Sequence, residues 1–238
     1  MTRKILLLAA FFLLTSDVVA AQNISVEVVA DDSYIFPTYP VSQSDGTYRS
    51  YLQAKQNARY SIRVRNYTGK RIGLVVAVDG RNIISGKKSY LRNTERMYIL
   101  KPGGVGTYRG WRTGRDEIRR FYFTNEGGSY AGAWGDYSAM GVIAVVAYAE
   151  KEPIVVSRES LVVRESVRMA PMMEPGTGVG EREDSSSIRV DFTAKPYPLE
   201  KHLFKYEWRE SLCEKKIISC NRLWDNDYVQ PPPGERRW

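Results

Sequence analysis

The sequence predicts an all-β fold, an antiparallel β-sandwich of jelly-roll-like type with about eight to ten strands and a C-terminal extension. Three observations support this prediction. Short segments rich in Tyr, Val and Ile alternate between apolar and polar residues, turn-forming dipeptides separate these segments, and no long stretch has the spacing of an amphipathic helix. We predict that residues 22–168 form the sandwich domain.

The strands of that domain follow from alternation or from continuous apolar runs. Residues 60–66 alternate strictly and indicate a half-buried strand with a basic outer face, whereas the apolar run 72–78 indicates a central strand. Asp79 and Gly80 then form a tight turn, and Pro37 with Pro40 marks an earlier loop. The predicted strands are 24–29, 60–66, 72–78, 82–85, 97–100, 106–111, 118–124 and 141–149.

The C-terminal part of the chain begins with a change in composition. Residues 169–187 are rich in Pro, Gly, Ser and charges and are predicted to be a linker or long loop. Residues 188–238 are predicted to form a C-terminal β extension with strands at 188–192 and 203–209, which either pair with the main sheet or form a small hairpin closed by a disulfide. In an oxidising compartment Cys213 and Cys220 are expected to form a disulfide.

Residues 1–21 have the pattern of a secretory signal peptide. Arg3 and Lys4 precede ten apolar residues, and Ala20 and Ala21 provide a small-residue cleavage site. An apolar run of that length is too short to span a bilayer, which takes roughly 20 residues. We therefore expect an exported protein, periplasmic or extracellular, with no transmembrane segment in the mature chain.

The composition excludes several classes of site. The chain has one histidine and two cysteines, which excludes a zinc finger and a multi-histidine metal site. No cofactor and no metal site are predicted. The single histidine, His202, is interpreted as a surface residue. Lys plus Arg total 35 against 27 Asp plus Glu, a net charge of +8. This charge favours an anionic partner, and export makes nucleic acid an unexpected one.

Several short blocks in a fixed order carry a resemblance. They are VDGRNIISG (78–86), GWR (110–112), RFYFT (120–124), SYA (129–131) and GVIAV (141–145), followed by KYEWRESLC (205–213). With these blocks the chain resembles a family of exported or envelope-associated β-rich proteins of proteobacteria. The resemblance implies a bacterial origin and brings no established activity, cofactor or site residue.

An arginine-rich stretch is the first candidate ligand site. Arg109, Trp111, Arg112, Arg115 and Arg119 lie close together in the chain, interleaved with further aromatic residues. Guanidinium groups bind carboxylate or phosphate, and aromatic rings stack on sugars. The alternative is a solvated basic face with its aromatic side chains in the core, which the alternation of residues 118–124 supports.

A turn and a glycine-rich loop supply the other candidate residues. Asp79, Arg81 and Asn82 could hold a small polar ligand, or their side chains could stabilise a hairpin turn. Trp134 and Asp136 could help to bind a sugar, or they could belong to an ordinary surface loop.

No catalytic set emerges, and we interpret the protein as a non-enzymatic interaction or structural protein of the bacterial envelope. Its partner would be an anionic glycan or an envelope protein, bound through a basic, aromatic-rich face. The alternative is a carbohydrate-active hydrolase with paired carboxylates, for which Asp79 and Asp136 are the candidates. A third hypothesis is a module of an envelope assembly, joined through an unpaired sheet edge. The sequence leaves the oligomeric state open.

Overall fold

The computed structural model describes residues 22–44, 46–151 and 175–220, so the predicted signal peptide lies outside the described residues. These residues form thirteen strands, one six-residue α-helix and two three-residue 3-10 helices, Glu126–Gly128 and Gly132–Trp134. The strands are β1 Ile24–Ala30, β2 Thr38–Ser44, β3 Thr47–Ala54, β4 Arg59–Asn66, β5 Ile72–Val78, β6 Arg81–Asn82, β7 Tyr98–Leu100, β8 Val105–Tyr108, β9 Gly110–Arg112, β10 Glu117–Asn125, β11 Val142–Ala149, β12 Pro175–Asp184 and β13 Glu200–Trp208; the helix, α1, is Arg209–Glu214.

The strands form two sheets. The first has the order β1-β4-β10-β12, with β8 beside β4 and β9 beside β10. The second has the order β2-β3-β13-β11-β5-β6, with β7 also beside β5. The predicted all-β class is confirmed, and two sheets without a closed barrel are consistent with a sandwich. The pairing is antiparallel except between β3 and β13, which are parallel, and the strands outnumber the prediction.

A single large core joins the two sheets, because their facing side chains contact one another. Tyr60 of β4 stacks on Phe123 of β10 with ring centroids 4.3 Å apart, and Phe123 lies 5.1 Å from the ring of Tyr206 on β13. These three rings are fully buried, together with Leu74 and Ile143 of the second sheet. Burial of this apolar surface provides the main stabilisation of the fold.

A smaller cluster covers the outer face of the second sheet. Val75 of β5 and Val146 and Tyr148 of β11 pack there against Ala194 and the half-buried Phe192. Both faces of β5 are therefore covered, and each of its seven residues is buried. This burial explains why its sequence is a continuous apolar run rather than an alternating one.

The prediction of a linker at 169–187 is wrong for residues 175–184, which form strand β12 beside β10. The glycines that suggested a loop have a packing role. A Cβ at Gly178 would collide with the ring of Tyr122 on β10, and one at Gly176 would collide with Ser129. Glycine fits these positions of the strand because aromatic and loop side chains lie directly over its backbone.

Three further segments differ from the prediction. Pro40, which with Pro37 was interpreted as marking a loop, lies in the edge strand β2, where an edge position tolerates proline. Strand β3 was not predicted, whereas residues 188–192, predicted as a strand, have no regular structure. Alternation identifies a strand only where a neighbouring strand is available for pairing.

The predicted disulfide is absent from the structure. Cys213 lies in α1, and both Cys213 and the exposed Cys220 carry free thiols. A hydrogen bond with Cys220, together with burial, raises the pKa of the Cys213 thiol. The Cys220 thiol also donates a hydrogen bond to the Ile218 carbonyl at 3.7 Å.

Candidate functional site

Asp79, a predicted ligand-binding residue, lies in the core instead of on a surface. Its side chain is at the β5–β6 turn and is 1% exposed. Its Oδ1 accepts hydrogen bonds from the Gly141 amide at 2.9 Å and the Tyr206 hydroxyl at 2.6 Å, and its Oδ2 accepts one from the Thr177 amide at 2.6 Å. One carboxylate therefore connects the turn to β11, β12 and β13.

Asp79 is also one end of a buried chain of hydroxyl groups. The Tyr206 hydroxyl lies 2.8 Å from Thr177 Oγ1, which lies 2.7 Å from the Tyr60 hydroxyl. Burial raises the pKa of Asp79 to about 7, although its hydrogen bonds oppose this rise. The network links both sheets and leaves Asp79 no access to a ligand.

The other two residues of the turn also have structural partners. Asn82 is buried; its Oδ1 accepts hydrogen bonds from the amides of Ile84 and Ser85, and its amide group donates to the Arg96 carbonyl at 2.9 Å. Arg81 donates to the Gly86 carbonyl at 3.0 Å. Of the two interpretations of this turn, the structure favours the stabilised hairpin.

Arg81 also contacts the exposed loop that contains Trp134. Its guanidinium carbon lies 5.2 Å from the centre of the Trp134 ring, which is 62% exposed. Nearby, Asp136 accepts a hydrogen bond from the Ser138 hydroxyl at 2.6 Å and pairs with Lys88 at 3.3 Å. Burial alone would raise the pKa of Asp136, but Ser138 and Lys88 outweigh it and lower the pKa.

The arginine-rich stretch does not present the predicted aromatic face. Tyr108, Trp111 and Phe121 are buried, and the Trp111 ring packs on Phe121 and on Tyr130. The β10–β12 pairing is irregular between Arg119 and Phe121, which breaks the simple alternation. The aromatic side chains of this stretch therefore contribute to the core, as the alternative interpretation had it.

The arginines of the same stretch divide into paired and unpaired side chains. Arg112 is held by the Tyr98 hydroxyl at 2.9 Å and by the Ser185 carbonyl at 2.9 Å. Arg109 pairs with Glu183 at 3.0 Å, and Arg119 is half-buried on β10. Arg115 is exposed and has no ion-pair partner in the described part of the chain.

Arg109, Arg112 and Arg115 line one large depression, which we call the basic groove. Its walls are residues 93–101, 106–110, 183–190 and 192–194, with Arg71, Ile84, Arg112, Arg115, Ile118 and Lys151 completing the lining. Its volume is about 1730 Å³. Sites for drug-sized ligands occupy roughly 300–1,000 Å³, so this groove has room for an extended ligand.

The basic groove carries an excess of positive charge. Its lining contains eight cationic side chains and three acidic ones. Among the cations, Arg71 pairs with Glu150, Arg109 with Glu183, and Arg112 is held by polar groups. The remaining five are exposed and have no ion-pair partner among the described residues: Arg96, Lys101, Arg115, Lys151 and Arg189.

A smaller depression of about 560 Å³ adjoins the basic groove. Arg96 and Arg112 line both, and the smaller one adds Lys87 and Lys88. Lys88 connects it to Asp136 and so to the loop of Trp134. Asp79 lines neither depression, so this geometry does not support a carboxylate pair of Asp79 and Asp136.

One buried polar cluster was not predicted from the sequence, and the prediction of His202 as a surface residue is wrong. His202 is 6% exposed, and its Nε2 lies 2.6 Å from Oε1 of Glu200. Glu200 also accepts a hydrogen bond from the Asn23 amide at 2.6 Å. Burial acts to raise the pKa of Glu200, but His202 and Asn23 outweigh it and lower the pKa.

The described residues contain no group of three or more His, Cys, Asp or Glu side chains that could hold a metal ion. In the same residues no helix has the length and apolar character needed to cross a membrane. Comparison with family models, curated proteins and solved structures finds no match to this chain.

Proposed function

We propose that this protein is an exported, non-enzymatic binding protein that holds an extended anionic ligand in the basic groove. The observation that carries the proposal is the group of five exposed cations in the groove without an ion-pair partner among the described residues. Cations gathered in a concave site raise the local concentration of anions and lower their free energy on binding. The groove's volume favours a ligand longer than a metabolite.

Two observations support a binding role over hydrolysis. Of the two carboxylates proposed for a hydrolase, Asp79 is buried, with three hydrogen-bond donors, and Asp136 pairs with Lys88. Of the three acidic residues in the groove lining, Glu95 and Glu183 are bound to neighbouring groups, so Asp184 is the one carboxylate there without such a partner among the described residues. A glycosidase needs two carboxyl groups free to act on opposite sides of one bond.

The envelope location, the proteobacterial family and the jelly-roll connectivity belong to the same proposal. The signal-peptide pattern of residues 1–21 and the order of the sequence blocks support the first two. Two sheets around one core are compatible with a jelly roll.

The test measures binding of the purified protein to polygalacturonate and to poly-L-glutamate, at low and at physiological salt. The combined variant Arg96→Ala, Arg115→Ala and Arg189→Ala removes three groove cations. We expect binding to at least one polymer that weakens as salt increases, and a loss of about tenfold or more in the variant.

The matched control removes three exposed cations outside the groove, through Lys55→Ala, Arg49→Ala and Arg65→Ala. It lowers the net charge equally, and we expect it to retain binding. The melting temperature of both variants should match the parent protein, because exposed substitutions change stability by only about 0.5 kcal/mol. Equal loss in both variants, or no binding to either polymer, would refute the proposal.

A further inference from the structure

We propose that the ligand of the basic groove is an acidic polypeptide segment, which docks in extended conformation by pairing its backbone with an exposed strand edge. The inference rests on the proposed function and names the class of partner. Three features of the groove support it. Two of its strands present open edges to the groove, one segment of its lining has backbone groups that make no backbone hydrogen bond to a described residue, and its aromatic rings already pack against other side chains.

The strands on one side present an edge to the groove and not a face. A strand whose face lines a cavity contributes every second residue, since successive side chains point to opposite sides of the sheet. Here all three residues of β7 line the groove, and so do residues 106–108 of β8. Strand β7 pairs only with β5 and β8 only with β4 among the described strands, so each has an open edge.

A second part of the lining is the segment of residues 185–194, which has no strand or helix and is fixed at both ends. At one end the Ser185 amide donates to the Asp116 carbonyl at 2.8 Å, and Arg112 holds the Ser185 carbonyl. At the other end the Thr193 carbonyl accepts from the Lys151 amide at 2.7 Å, and Ala194 is buried. Between these ends, residues 186–192 make no backbone–backbone hydrogen bond to any described residue.

An extended peptide matches these walls because it carries the complementary backbone groups. Open strand edges bind such segments through main-chain hydrogen bonds, and side-chain contacts then set specificity. Acidic side chains on the peptide would meet Arg96, Lys101, Arg115 and Arg189, and apolar ones would meet Ile188 and Val190, which are 82% and 43% exposed.

The aromatic rings of the groove favour a peptide over a glycan. Tyr98 stacks on Tyr108 with centroids 4.4 Å apart, and the Arg112 guanidinium lies 5.7 Å from the centre of the Tyr98 ring. Phe192 packs into the outer cluster of the second sheet. These rings are already engaged, whereas the most exposed tryptophan described, Trp134, lies outside the groove lining.

The test uses a peptide of about ten residues that alternates Glu and Val, and two isomers in which either the odd or the even amides are N-methylated. The charges are identical, but each isomer lacks the donors along one edge. We expect the parent peptide to bind, the Arg96, Arg115 and Arg189 variant to lose that binding, and at least one isomer to bind about tenfold more weakly. A Lys-Val peptide should not bind.

Equal binding of both isomers and the parent peptide would overturn strand pairing and leave an anion site. Binding of polygalacturonate without binding of the peptide would overturn the peptide as ligand and leave the proposed function intact. Failure of the peptide and of both polymers would overturn the inference and the proposed function together.

Discussion

Asp79 and the three arginines Arg109, Arg112 and Arg115 were all predicted as ligand-binding residues, but the structure places Asp79 in the core and the three arginines in the basic groove, where the charged side chains differ in their partners. The Asp79 carboxylate receives three hydrogen bonds from within the chain and is closed to solvent. Five groove cations have no ion-pair partner among the described residues and face solvent. A charged residue indicates a ligand site only where the fold leaves it without a partner in the chain. The sequence does not show which charged residues have such partners.

Removing the Asp79 carboxylate should give the largest loss of stability. Asp79→Ala leaves the Gly141 and Thr177 amides and the Tyr206 hydroxyl without their acceptor in the core. We expect the free energy of unfolding to fall by about 4 kcal/mol, measured by urea denaturation. Asp136→Ala, at a half-buried loop carboxylate, is the control and should cost far less. Similar losses in the two variants would contradict the expectation that the fully buried Asp79 carboxylate contributes more stability than the half-buried Asp136 carboxylate.

Asp79 should also give stability a specific pH dependence. The unfolded carboxyl has its ordinary pKa of 3.8, and burial raises the folded value to about 7. Between these pH values the folded protein holds a proton that the unfolded chain has released, so this contribution to stability falls as pH rises and is constant above pH 7. Asp79→Asn should remove a decline of up to roughly 4 kcal/mol, relative to the parent protein. Parallel pH profiles of parent and variant would contradict this.

Gly80→Val should have an intermediate effect at the turn beside Asp79. Gly80 has φ of +75°, which a β-branched residue resists, and a Cβ there would lie 3.0 Å from Ala139 Cβ. We expect a loss of about 2 kcal/mol or more, seen as a lower melting temperature. Gly69→Val is the control, because Gly69 lacks a positive φ and has open space around it. An unchanged melting temperature for Gly80→Val would contradict the requirement for a positive φ at this turn.

The smallest of these effects is expected at Arg112, which lies in the basic groove but, like Asp79, has hydrogen-bond partners within the chain. This side chain lines the basic groove but is held by Tyr98 and Ser185. Arg112→Ala should cost about 1 kcal/mol and speed hydrogen exchange at the Ser185 amide. Arg109→Ala, which breaks one exposed ion pair, should leave that exchange unchanged. Unchanged exchange in Arg112→Ala would show that this arginine does not fix the groove wall.

The fold class and the strands with a strong apolar pattern could be predicted because burial imposes that pattern. Strand β4 alternates because mainly one of its faces is covered, whereas β5 is continuously apolar because both of its faces are covered. Strand β12 could not be predicted, because its glycines make room for Tyr122 and Ser129, and these residues are distant from it in the sequence. Edge strand β2 is mostly exposed and lacks an apolar pattern.

The candidate site was predictable only in part. Arg109, Arg112 and Arg115 line the basic groove, and their proximity in sequence revealed them. Lys101, Lys151 and Arg189 come from other segments, and the fold alone brings them to the same groove. Nothing in their local sequence marks them, because exposed cations are common on protein surfaces.

The parallel pairing of β3 with β13 has a consequence for the time course of folding. Strand β13 lies between β3 and β11, so the second sheet is divided into two parts until residues 200–208 have been synthesised. A shorter nascent chain would present the edges of both β3 and β11, which invite pairing with other chains. Completion of the fold thus depends on a late segment, and contacts this distant in sequence form slowly. The second sheet should therefore form only after residues 200–208 have been synthesised, with a need for protection against aggregation until then.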